Sequence, residues 1–199
     1  MKITILGSGY VGLVSGTCFS EFGFNVCCVD KDKDKINDLT NDILPIYEPG
    51  LKNLVKKNRD AGRLLFSNDI NENIKKADII FIAVGTPTAR RGDGEADLKY
   101  VFQACKELSK LIDKNDKPII ITKSTVPIGT GKEIIRLFQK LCPKLKYEVD
   151  YNIASNPEFL REGSAIEDFL RPDRVVCGVA NPQTETILKE LYRPLNLRE

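Results

Sequence analysis

The sequence predicts an α/β fold: an open, doubly wound, mostly parallel sheet with helices on both faces. Three observations predict it. Short apolar runs alternate along the chain with amphipathic stretches at helical spacing. The runs are apolar nearly throughout, as strands covered on both faces must be. The loop after the first run is rich in glycine, and 199 residues are few for eight strand–helix units, so an open sheet is favoured over a barrel.

The elements follow in order. ITIL (Ile3 to Leu6) reads as the first strand. Val11, Val14, Cys18 and Phe22 then fall on one face of a helix that Gly23 ends, and FNVCCVD returns as a strand. A polar helix is expected from Asp34 to Leu39 and another from Leu51 to Asp60, after the LPIYEPG turn. Arg63 to Phe66 is a short strand and DIIFIAVG, Asp78 to Gly85, a buried one. Leu98, Val101, Phe102, Cys105, Leu108 and Ile112 mark a long helix that Asp97 would cap. PIIITKST is the next strand. TGKE has the form of a capping box, Thr130 capping and Glu133 reaching back. YNIAS and RVVCGV are expected as the last strands, with a helix from Pro182 to Tyr192. No repeat or linker divides the chain, so residues 1–199 are read as one domain.

Composition excludes several classes of function. A formal net charge of +2, with basic residues scattered, gives no footprint for nucleic acid. No apolar run approaches the roughly 18 residues of a membrane span, and the N-terminus lacks the pattern of a signal peptide. The chain has no histidine, which removes the Ser-His-Asp triad, the His base and the His metal ligand. The six cysteines, Cys18, Cys27, Cys28, Cys105, Cys142 and Cys177, form no C-x-x-C pair and sit mostly in apolar runs. They read as small buried hydrophobes in a reducing cytoplasm.

The first loop, GSGYVG, carries Gly7, Gly9 and Gly12 in the G-x-G-x-x-G spacing of a Rossmann-type dinucleotide site. Gly7 makes the turn, Gly9 lets backbone approach a pyrophosphate, and Gly12 allows close helix–strand packing. The helix start offers free N–H groups and a positive dipole end to phosphate. Asp30, at the end of the second strand and 23 positions after Gly7, can accept hydrogen bonds from ribose hydroxyls. A carboxylate there repels a 2′-phosphate, so NAD is favoured over NADP, although Lys31 and Lys35 could offset part of that repulsion. VGTPT (Val84 to Thr88), KSTVP (Lys123 to Pro127) and SNPEFLRE (Ser155 to Glu162) fall at the ends of later strands, on the edge where such sheets bind ligands. Asn156 suits an N-cap and Pro157 the first helical position, which would set Glu158 and Glu162 one turn apart on one helix face. Such a pair could shift one another's pKa and serve as a water-activating base, or it could be a helix-end acid beside a solvated glutamate. Spacing leaves both readings open.

Taken together, GSGYVG, Asp30, IYEPGL, VGTPT, KSTVP, NPEFLREG and PDRVV, in this order, resemble the N-terminal domain of the UDP-glucose/GDP-mannose dehydrogenases. The resemblance covers essentially the whole chain, and PDRVV with the preceding AIEDFLR is more similar to the UDP-glucose branch. It implies oxidation of a sugar primary alcohol through an aldehyde and an enzyme thioester to a carboxylate, with two NAD reduced per UDP-glucose. It implies NAD contacts from Gly7, Gly9, Tyr10, Val11, Gly12, Asp30, Lys35, Thr86, Pro87, Thr125 and Glu162. It also implies a sugar site lined by Glu158, Phe159, Leu160, Arg161 and Glu162. In that site Glu158 would be proton carrier or base, and Thr125 would position the reacting water or hydroxyl. The family's nucleophilic cysteine, catalytic lysine and uridine-binding groups are expected beyond Glu199, leaving this chain able to bind NAD but inactive alone. A stand-alone NAD-binding module, or the cofactor domain of a GDP-mannose or UDP-N-acetyl-hexosamine dehydrogenase, are the alternatives. Longer family members are expected to be homo-oligomers and this chain a monomer.

Overall fold

The computed structural model describes residues 1–75, 77–87 and 96–197. Its centre is a six-stranded parallel sheet: β1 (Lys2–Leu6), β2 (Asn25–Val29), β3 (Leu64–Ser67), β4 (Ile79–Ile82), β5 (Ile119–Thr122) and β6 (Asn152–Ser155). The spatial order is β3-β2-β1-β4-β5-β6. The chain winds outward from β1 in one direction and then, through β4, in the other, so the order reverses between β1 and β4. That is the doubly wound arrangement expected from the sequence.

Side chains along each strand alternate between two cores. Ile3, Ile5, Val26, Cys28, Ile79, Phe81, Ile119 and Ile121 point to one face, with α1 (Tyr10–Glu21), α2 (Lys33–Thr40), α3 (Leu51–Asp60), α7 (Ala165–Leu170) and α8 (Pro182–Tyr192). Leu6, Cys27, Val29, Ile80, Ile82 and Ile120 point to the other, with α4 (Ile70–Ile74), α5 (Lys99–Leu111) and α6 (Thr130–Leu141). Both faces are covered, which explains why the strands read as apolar nearly throughout. At about 1.5–3 kcal/mol per fully buried Ile, Leu or Phe side chain, these two layers supply the main driving force for folding. Phe19 of α1 ties the first layer together, stacked on Phe81 at 5.1 Å and edge-on to Phe169 at 5.0 Å.

Helix α1 ends in a Schellman motif. The N–H of Gly23 donates to the Ser20 carbonyl and that of Phe24 to the Phe19 carbonyl. Helix α8 begins as expected, with Pro182 in its first turn and the Asn181 side chain accepting from the Thr184 N–H. Among the described residues no helix is long and apolar enough to cross a membrane.

Four expectations need correction. No helix starts at Asn156; residues 156–160 have no regular structure and α7 begins only at Ala165. The Asn156 N–H continues the sheet ladder to the Thr122 carbonyl, and its side chain is committed elsewhere, as described below. The Glu158 carboxylate turns back onto the Leu160 N–H at 2.7 Å, and Gly163 takes φ +90°. RVVCGV is not a strand. Only Gly178 pairs, exchanging two backbone hydrogen bonds with Ser155 in an antiparallel bridge, while Val175 and Val176 stay partly exposed. TGKE is not a capping box: Gly129 is the N-cap, and the Thr130 hydroxyl donates to the Pro127 carbonyl instead. Asp97 accepts from the Lys99 N–H but stands one residue before the N-cap, Leu98.

Candidate functional site

The carboxyl ends of β1, β2 and β4 surround a cleft of about 530 Å³ at the point where the strand order reverses. Gly7 and Gly9 form its floor, Val29, Asp30 and Lys35 one wall, and Val84, Gly85, Tyr100 and Gln103 the opposite one. The backbone at Gly7 has φ +100°, and a Cβ there would stand 2.7 Å from the Ala83 carbonyl oxygen. A Cβ on Gly12 would lie 1.9 Å from the Gly7 oxygen. Both glycines are demanded by packing. Gly9 is different: a Cβ there meets nothing within 4 Å. Space is kept open above the start of α1, where its unpaired N–H groups and dipole favour an anion. The loop therefore fits a dinucleotide's pyrophosphate.

Asp30 is the hub of this end. Its Oδ2 accepts from the Ser8 N–H and hydroxyl, both at 2.9 Å, and from the Lys35 ammonium at 3.0 Å. Its Oδ1 accepts from the Asp32 N–H at 3.1 Å and has lone-pair capacity for a further donor, such as a ribose hydroxyl. Burial pushes the Asp30 carboxyl up, but the Ser8 and Asp32 N–H groups, the Lys35 ammonium and the Ser8 hydroxyl outweigh it. The net effect holds the carboxyl below its ordinary range. Ser8 was not evident as a site residue from the sequence; its place between the first two glycines was the only signal. Lys31 pairs with Glu107 of α5 at the rim. Neither that pair nor the short α4, capped by Asp69, had a periodic signature to reveal it.

Of the residues named from the sequence, the structure brings Gly7, Gly9, Asp30 and Lys35 together around this cleft. Tyr10, Val11 and Gly12 follow in α1. Thr86 and Pro87 lie in the loop after β4; Thr88, the last residue of VGTPT, lies outside the described residues. Thr125 is exposed on the loop after β5, which is tied to the β4 loop by the Ser124 hydroxyl donating to the Val84 carbonyl at 2.6 Å.

A second, much smaller pocket of about 40 Å³ opens at the ends of β5 and β6, bordered by Lys123, Asn156, Glu158, Phe159 and Leu160. Lys123 is buried, 4% exposed, and donates to Asn156 Oδ1 at 3.0 Å and to the Tyr192 hydroxyl at 3.4 Å. Its ammonium lies 5.6–6.0 Å from the ring centres of Phe81, Phe169 and Tyr192. Asn156 completes the cluster, accepting from Tyr192 and donating to the Val176 carbonyl at 2.9 Å. Burial pushes the Lys123 pKa down to about 8, against the opposing pull of Glu158. Glu162 is exposed, and its charge raises the pKa of Tyr10, after burial and Glu48. Glu158 thus neighbours Lys123 and Glu162 neighbours Tyr10; they do not act as a pair on one helix face. Phe159 is half exposed under the Arg174 guanidinium. Arg161 is spent on Asp168, through its backbone N–H and a two-pronged guanidinium contact, and that hydrogen bonding pulls the Asp168 carboxyl down to about 2. Burial raises the thiols of Cys27 and Cys105 to about 12 and pushes up those of Cys28, Cys142 and Cys177 as well.

A doubly wound sheet, a glycine loop opening a helix at the strand-order reversal and a carboxylate closing the second strand define an NAD-binding domain of the dehydrogenase class. The model of the UDP-glucose/GDP-mannose dehydrogenase family's NAD binding domain matches residues 1–196, and the chain belongs to that family. A UDP-glucose 6-dehydrogenase of Rhizobium meliloti is 50% identical over the whole of this chain and 44% of its own length. The UDP-glucose 6-dehydrogenase TuaD of Bacillus subtilis is 49% identical over 98% of this chain and 41% of its own. Among solved structures, a ternary complex of GDP-mannose dehydrogenase from Pseudomonas aeruginosa superposes with a TM-score of 0.91 at 37% identity, over 97% of this chain and 44% of that one. The chain spans less than half the length of these relatives.

Proposed function

We propose that the cleft beside Asp30 is the NAD site, and that the chain supplies the cofactor half of an enzyme oxidising the C6 alcohol of UDP-glucose. The observation that carries the reading is Asp30: a carboxylate held by Ser8 within the glycine loop, with acceptor capacity left on Oδ1, lining a cleft at the strand-order reversal. Gly7, Gly9 and Gly12 bring the helix start against the pyrophosphate. Tyr10 and Val11 continue that start. Asp30 takes the ribose hydroxyls, and Thr86, Pro87, Thr125 and Glu162 border the nicotinamide end. When bound, NAD would supply the acceptor for the hydride that leaves the sugar carbon. Glu158 takes up the proton or activates water, with Thr125 orienting the reacting oxygen, and the Glu158–Glu162 segment lines the sugar. Lys35 neutralises part of the Asp30 charge without removing its acceptor capacity. The names of the relatives at 49–50% identity support UDP-glucose as the substrate. In those relatives the reading assigns the thiol nucleophile and the uridine contacts to the length this chain does not span.

The test is calorimetric titration of the chain with NAD and with NADP. NAD should bind at least about tenfold tighter, the equivalent of about 1.4 kcal/mol. Equal affinities would refute the role given to Asp30. Added UDP-glucose should produce no steady NADH absorbance with this chain alone.

A further inference from the structure

The loop between α2 and α3 exposes two of its large side chains: Tyr47 is 89% and Ile43 57% accessible. Glu48, between them and Gly50, is 5% accessible. Its carboxylate reaches across the molecule. Oε1 accepts from the Ala165 N–H and Oε2 from the Gly163 N–H, both at 2.8 Å, and Oε2 also accepts from the Tyr10 hydroxyl at 2.8 Å. The Tyr10 hydroxyl lies 3.2 Å from the Arg161 carbonyl as well. No other side chain is recorded bonding the Gly163 and Ala165 amides among the described residues. Tyr10 is the first residue of α1, directly after Gly9. One carboxylate therefore joins the helix that faces the cofactor phosphates to the segment carrying Glu158 and Glu162, over 115 positions of sequence.

We propose that Glu48 is a positioning residue: with Tyr10 it forms a strut that sets the Glu158–Glu162 segment against the NAD site and transmits cofactor binding to that segment. The proposal rests on the reading of the cleft above for its second half only. The first half stands on the carboxylate's own bonds. Residues 156–164 have no helix or strand to hold them, and Gly163 at φ +90° leaves its amide dependent on an acceptor from outside the loop. A phosphate at the start of α1 would restrain Tyr10, and through it Glu48 and the segment.

Amide hydrogen exchange resolved residue by residue tests both halves. In free Glu48→Gln, one amide must face a donor instead of an acceptor. The Gly163 and Ala165 amides should exchange about 10–100-fold faster than in the wild type, while those of β1 and β4 do not change. If that variant does not fold, Glu48→Asp, one methylene short, should show the same local loss. Unchanged exchange at both amides in a folded variant overturns the proposal. With NAD present, wild-type protection of residues 161–165 should rise several-fold, and Tyr10→Phe should abolish that rise while leaving the free-state protection of Gly163 and Ala165 near normal. An equal rise in Tyr10→Phe overturns the transmission. If the wild type binds no NAD, the reading of the cleft fails, and the ligand-free comparison still decides whether Glu48 holds the segment.

Discussion

At the β2 end of the sheet's carboxyl edge, a carboxylate is surrounded by donors. At the β5–β6 end, an ammonium is surrounded by rings and neutral acceptors. Asp30 has an oppositely charged partner in Lys35, two backbone N–H groups and a hydroxyl. Lys123 has Asn156 and the Tyr192 hydroxyl, and among the described residues no carboxylate lies within ion-pair distance of it. The consequences run in opposite directions. Interactions made on folding hold Asp30 in its charged form, whereas burial of Lys123 disfavours its charge. The difference teaches that the glycine-loop end is preorganised for an uncharged donor such as a hydroxyl, while the β5–β6 end stores electrostatic cost beside Glu158.

The comparison can be broken in four ways, from the largest effect to the smallest. Gly9→Val should cost at least two orders of magnitude in NAD affinity, on the order of 3 kcal/mol, because its side chain fills the space left for phosphate. Nothing stands within 4 Å of the new Cβ, so the ligand-free melting temperature should stay within about 4 °C of the wild type. Normal binding by this variant would move the phosphate elsewhere. Lys123→Met should stabilise the fold at neutral pH by up to about 3 kcal/mol, the cost implied by a pKa lowered from 10.5 to about 8. Asn156 Oδ1 keeps the Tyr192 hydroxyl as donor in that variant. The pH dependence fixes the sign. Below pH 8 both folded and unfolded chains carry the proton and the cost is constant. Between 8 and 10.5 the unfolded chain alone holds it, so wild-type stability gains on the variant as pH rises. Denaturant unfolding at several pH values should show the gap closing over that window.

Asp30→Ala should weaken NAD by roughly 1.5–3 kcal/mol, about 10–150-fold, through loss of a charge-assisted hydrogen bond and of the anchor for Ser8. Calorimetry against the wild type measures it. Lys35→Met removes a partly exposed pair and should cost about 1 kcal/mol of stability or less, with NAD affinity changed less than about threefold. A larger loss would make Lys35 a direct cofactor contact.

The two ends also differ in how legible they were in the sequence. The β1–α1–β2 unit is built from local rules: a glycine spacing, an apolar helix face and a carboxylate at a strand end, all within 30 residues. Burial of both sheet faces likewise announced itself in nearly uninterrupted apolar runs. The 156–164 segment misled because its local chemistry was overruled at a distance. Asn156 has the composition of an N-cap, yet Lys123, Tyr192 and Val176 take its side chain. Glu48 sat within a recognised motif, IYEPGL, but the two amides it holds lie more than 100 positions downstream and Tyr10 38 positions upstream, and no spacing reveals them. RVVCGV had a strand's composition and lacked a neighbour along its length to pair with.

The bridge between Ser155 and Gly178 bears on how the molecule behaves in a crowd. β6 is an outermost strand, and an outer strand offers unmatched ladder groups to any extended chain that drifts past. Gly178 occupies Ser155 through both of its backbone groups, and the crossing is antiparallel to the rest of the sheet. A Cβ at this position would lie 2.4 Å from the Ser155 hydroxyl oxygen, so a larger residue there requires that hydroxyl to turn away. One bridged residue thus occupies ladder groups that the border would otherwise offer to edge-to-edge polymerisation.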